Sequence, residues 1–221
     1  MRDSSLPLSV IAAATTTRPA NRFCASDRQK FATLSFRIPT MFGLGKKKMP
    51  LTLVATEVAT RAVMPLLSPS EQDDTFRDQA VKAGMDRTRF ILEATSLQVF
   101  TAHAAINTLR LSGSITAEQS HGLITGSSLA IHEQLETALF SNYDVRFACP
   151  FPYTPAEFIL ERSSSYAQPQ LFVRPTEQIP KQFAANCELE DSNVLQRIGW
   201  SLFAIRGNFY WEAWLKSIKI I

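Results

Sequence analysis

Residues 90–109 read Phe90-Ile91-Leu92-Glu93-Ala94-Thr95-Ser96-Leu97-Gln98-Val99-Phe100-Thr101-Ala102-His103-Ala104-Ala105-Ile106-Asn107-Thr108-Leu109. Phe90, Leu97, Ala104 and Leu111 recur at seven-residue spacing, and Leu92, Val99 and Ile106 form a second such row. A helix with apolar rows on two sides is buried against several neighbours. From Arg89 to Arg110 it would span about 30 Å, enough to cross a bilayer. Glu93, Gln98, His103 and Asn107 argue against lipid, where such groups are costly. The expectation is a helix buried in protein.

Signals on either side extend this helix into a hairpin. Upstream, Ser68-Pro69-Ser70-Glu71 reads as a helix start, with Ser68 as cap, Pro69 at the first helical position and Glu71 closing a capping box. Asp73, Asp74 and Asp78 suit the positive end of the helix dipole. Gly84 predicts a break or kink, with a restart at Asp86. Downstream, Gly113 suits a left-handed helix end, and Thr116 with Gln119 makes another capping box. Ile124, Ile131, Leu135 and Leu139 then recur at helical spacing. Gly122 and Gly126, on the same helix, suit either close packing or a ligand near the backbone, and packing is the commoner cause. The fold class is therefore mainly α: a multi-helix bundle of about five to seven helices around a long hairpin, about 69–111 and 116–142.

Leu51 to Leu67 predicts a covering helix with Leu51, Val54, Val58 and Ala62 on one face, closed by Pro65 and Pro69. Composition changes after Tyr143. Residues 145–149 alternate, and 170–174 look extended, which suggests a small two-stranded β ribbon needing helices to support it. Thr154-Pro155-Ala156-Glu157 is a further capping box, opening a helix to about Tyr166. In the last segment Ser192 can cap a helix carrying Leu195, Ile198, Leu202, Ile205 and Phe209. Gly207-Asn208 is placed to bend the chain before the aromatic stretch to Ile221.

The net charge of +3 hides an asymmetry: residues 1–40 hold six of the 23 basic residues and two of the 20 acidic ones. The body is near neutral, so a nucleic-acid partner is not expected. Residues 1–48 read as a disordered leader and 49–221 as a single helical domain. The leader is either an Arg- and Ser-rich transit peptide, implying an organelle matrix, or an extension upstream of a start at Met41, implying the cytoplasm. Lys46-Lys47-Lys48 falls short of the basic cluster that anionic lipid recognition needs, and reads as a solvated edge. Three cysteines, Cys24, Cys149 and Cys187, without a CxxC, support neither a zinc knuckle nor a disulfide scaffold. The default is reduced thiols.

No phosphate loop, nucleophile elbow or HExxH is present. Glu118 and His121 form an ExxH, the spacing used by dinuclear metal sites in bundles, and Glu93 is the one obvious further ligand. A second ExxH is missing, so a chance pair is the simpler explanation. His121 and His132 lie about 16 Å apart along a helix, too far for one ion. His132 with Glu136 suits an ion pair. Glu93, His103 and Asn107 leave the helix at different angles, which fits separate polar contacts better than a pocket. Cys149 lacks a local catalytic signature and reads as an inert thiol.

Trp211, Trp214, Leu215 and Ile218 form the strongest candidate interaction face, with Lys216 and Lys219 beside it. Trp and Lys together suit a partner groove or a membrane surface. The competing reading turns this face into the protein's own core. The functional expectation is a non-enzymatic helical interaction or scaffold protein, with a protein partner or self-association. Two alternatives stand beside it. One is a metal-dependent oxidoreductase using Glu93, Glu118 and His121. The other is membrane-surface attachment through residues 208–221. No residue pattern specifies a cofactor.

Overall fold

In the computed structural model, which describes residues 46–139 and 153–221, the stretch quoted above forms the central helix. Eight α-helices and one two-stranded parallel sheet occur among the described residues. In chain order these are β1 (Lys47–Met49), α1 (Leu51–Leu67), α2 (Glu71–Lys82), α3 (Arg87–Leu111), α4 (Ala117–Leu139), α5 (Pro155–Ser164), α6 (Pro175–Asn186), α7 (Asn193–Trp200), α8 (Glu212–Lys216) and β2 (Ile218–Ile220). Two 3₁₀ turns, Ser165–Ala167 and Pro169–Phe172, join α5 to α6, and a π-helical stretch, Ser201–Trp211, joins α7 to α8.

The two apolar rows of α3 face two different cores. Leu92, Val99, Ile106 and Leu109 meet α1, α4, α5 and α8 in the first core. Phe90, Leu97 and Phe100 meet α2, α6, α7 and the π-helical stretch in the second. Ala104 packs on that second core, but its row ends in solvent, where Leu111 is 77% exposed.

Chain breaks follow local chemistry. Gly84 and Gly113 both adopt positive φ, at 96° and 72°, which a Cβ would oppose. Asp86 caps α3 by accepting from the Arg89 amide, and Thr116 exchanges bonds with Gln119 at the start of α4. Thr154 and Glu157 do the same for α5. The expected cap at Ser68 is corrected to Ser70: Asp73, not Glu71, returns the bond to its backbone amide. Pro69 therefore stays outside the helix. Pro65, expected to close α1, sits inside its last turn.

α1 and α4 pack closely because small residues face each other. A Cβ on Gly122 would lie 3.1 Å from a Leu51 methyl, and one on Gly126 would lie 3.0 Å from the Ala55 Cβ. The packing explanation for these glycines holds.

The β ribbon is corrected in place. Residues 170–174 form a 3₁₀ turn and the approach to α6, not a strand, while 145–149 lie outside the described residues. The sheet instead joins the two ends of the domain, pairing Lys47 with Ile218 and Met49 with Ile220 in parallel. Lys47 and Lys48 thus belong to the folded body rather than to the leader expected through residue 48. The leader's remaining residues, 1–45, lie outside the description. The expected aromatic helix to Ile221 stops at Lys216, and Ile218 lies in β2. A further correction is α6, over a segment that the ribbon reading left without a helix. Pro175 opens it, and Ile179, Pro180, Phe183 and Ala184 are buried.

Candidate functional site

The metal set suggested by the sequence is not assembled. His103 on α3 bonds Ser127 on α4 at 3.0 Å, which sets the register of the antiparallel hairpin. In that register Glu118 and His121 lie beside the turn at Gly113, and Glu93 lies more than 20 Å away along α3, roughly, at 1.5 Å per residue. Glu118 and His121 are exposed, whereas Glu93 is fully buried. Among the described residues no group of three His, Cys, Asp or Glu side chains is placed to hold a metal ion. His132 lies 3.8 Å from Glu136, as expected of the i, i+4 pair.

His103 and Ser127 do not make a nucleophile and base. The Ser127 hydroxyl donates to the Ile124 carbonyl at 3.0 Å, so His103 Nε2 donates to Ser127 rather than taking its proton. Burial pushes His103 down to about 4, which keeps the ring neutral near pH 7. Its task is to tie the hairpin together.

The aromatic C-terminal face is turned mostly inward. Trp211 is 1% exposed, and Leu215 and Ile218 are also buried, all in the first core. For these three the inward reading replaces the interaction reading. The reason is that the π-helical stretch and β2 bring this segment back across α3 and β1. Trp214 alone stays partly open. It stacks edge-on against Trp211 at 5.9 Å, and the Arg61 guanidinium of α1 lies 4.7 Å from its ring centre. Arg61 also hydrogen-bonds the Tyr210 hydroxyl and pairs with Glu57 at 3.2 Å. Tyr210 is 46% exposed. An outer patch of Arg61, Tyr210 and Trp214 therefore sits over the buried Trp211. The sequence does not announce this patch, because α1 and residues 210–214 meet only in the folded chain.

Glu93 has a second kind of surroundings. Its Oε1 lies 3.1 Å from Arg162 Nε on α5, yet neither carboxylate oxygen has an aligned hydrogen bond. Burial, only partly offset by Arg162 and then Arg89, pushes Glu93 up to about 7. Tyr166 lies within electrostatic range, fully buried, and its hydroxyl lacks an aligned partner although Asn186 is beside it. Burial raises the Tyr166 hydroxyl well above its usual range and raises the Cys187 thiol as well. Cys187 thus stays protonated and is no nucleophile. Glu93 is a group able to hold or release a proton near neutrality. Cys149 lies outside the described residues.

No single described helix is long and apolar enough to cross a membrane; α1 and α2 pass such a test only as a pair bent by 53°. Compared with protein-family models, with curated proteins and with solved structures, the chain matches none of them.

Proposed function

We propose that the protein is a non-enzymatic helical interaction protein that associates with a second copy of itself or another protein through the Arg61–Tyr210–Trp214 patch. The supporting observation is the chemistry of that patch: an arginine held over two aromatic rings at the surface, on a rigid base supplied by buried Trp211. Trp, Tyr and Arg are the residues that carry most binding energy at protein interfaces. Each is already oriented here, so little side-chain freedom is lost on docking.

Sedimentation of the full chain over a wide concentration range tests the self-associating form. The mass should rise with concentration for the native chain. Trp214→Ala with Tyr210→Ala should weaken association by at least tenfold, the effect of losing about 1.4 kcal/mol of contact energy. A chain monomeric throughout defeats self-association, and an association untouched by both substitutions removes the patch from the reading.

A further inference from the structure

Among the described residues Glu93 stands out as a buried carboxylate whose surroundings favour its neutral form. A charge taken from water needs both a close partner and hydrogen bonds to its remaining lone pairs. Arg162 supplies the charge at 3.1 Å, but the carboxylate oxygens lack aligned donors. The other charged or titratable groups around it do not repair this. Arg89, one turn earlier on α3, is drawn away by Glu188 beyond α6, at 2.7 Å. Glu188 itself repels Glu93. Tyr166, in the turn after α5, and Cys187, at the end of α6, are both held neutral by burial.

Arg162 stands between Glu93 and solvent. It is partly exposed and lines a surface hollow with Tyr153, Phe158, Glu161, Ser164 and Ser165. Its guanidinium also lies 5.3 Å from the Phe158 ring centre. Water reaching Glu93 from this side must pass it.

We propose that a proton on Glu93 keeps α5 docked against α3, and that ionisation of Glu93 loosens α5 by drawing water in past Arg162. The docked form holds the proton more tightly than a form in which water reaches the carboxylate. Raising the pH through neutrality therefore shifts the balance toward the loosened form. Phe158 and Ile159 stay anchored in the first core, so α5 loosens without leaving.

Amide exchange of residues 155–167 in the full chain, corrected for the intrinsic pH dependence of exchange, tests this beside a carboxyl NMR titration of Glu93. Glu93 should titrate near neutrality, and corrected protection should fall about tenfold between pH 6 and 8, the effect of one pKa unit of linkage. Glu93→Gln should keep α5 protected at both pH values. A Glu93 that titrates in the ordinary carboxylate range overturns the proposal, as does a fall that persists in Glu93→Gln. Where Glu93→Gln does not fold, Arg162→Gln serves instead. Losing the nearest cation should move the Glu93 midpoint upward and the fall in protection with it; an unmoved midpoint counts against the latch.

Discussion

On one face of α3, Leu92, Val99, Ile106 and Leu109 meet the valines, alanines and leucines of α1 and α4. On the other, Phe90 meets Phe183 edge-on at 6.2 Å, and Phe100 meets Tyr166 at 5.6 Å. The first face is mainly aliphatic, with Phe158 and Trp211 in the same core, and the α1–α4 crossing in that core is fitted closely enough to need glycine. The aromatic side also takes in Glu93 and the Tyr166 hydroxyl, polar groups without aligned hydrogen-bond partners. The comparison separates a part of the molecule that resists change from a part that responds to protons.

The largest break in that comparison comes from the first core. Trp211→Ala, which empties a large side chain from the first core, should cost about 3–5 kcal/mol in a denaturant titration. A cost below about 1 kcal/mol, the usual range for a surface site, would mean that the Trp211 site is not interior.

The aromatic side should show itself through pH. Glu93 rises from an ordinary carboxylate to about 7 on folding, so the folded chain binds more protons than the unfolded one in between. The contribution of Glu93 to stability should be fully present below the unfolded value, fall as pH rises toward 7, and level off above it, while His103, lowered to about 4, contributes in the opposite sense over part of that window. The fall in that contribution of Glu93 is on the order of 3 kcal/mol. Glu93→Gln should lose this fall and keep the opposite trend set by His103, whose lowering to about 4 makes stability rise with pH up to its unfolded value; an equal slope in both chains in urea titrations at several pH values would remove Glu93 as a source.

The smallest effect sharpens the contrast within the aliphatic core. Gly126→Val forces a branched side chain into the space where a Cβ already meets the Ala55 Cβ at 3.0 Å. Overpacking of this kind costs about 1–3 kcal/mol. The midpoint of thermal unfolding should drop without any change in its pH dependence.

Much of the helical layout was legible because its causes are local. The paired rows on residues 90–109 announce burial on two sides, and α3 has it. Thr116 with Gln119 and Thr154 with Glu157 satisfy each other's amides within four residues, and they do so in the fold. The choice between Ser68 and Ser70 was missed because two caps compete over the same turn, and Asp73 favours the second. Pro175 and Pro180 disguised α6, since one proline suits a helix start and the other interrupts the pattern. The candidate site was hardly legible. Arg162 carries no mark that points to Glu93, and nothing in α1 announces that Arg61 will lie over Trp214.

By itself the sequence determined the helix starts at Thr116, Thr154 and Ser192, the breaks at Gly84 and Gly113, and that the helix at its centre is enclosed by protein on two sides. Capping bonds and apolar periodicity act within a few residues, so a linear reading reaches them. Only the tertiary structure decided that Trp211 faces inward while Trp214 stays partly open, that both ends of the domain meet in one sheet, and that Glu93 meets Arg162. Those pairings join distant parts of the chain, and they form because burying apolar surface rewards the whole arrangement rather than any single segment.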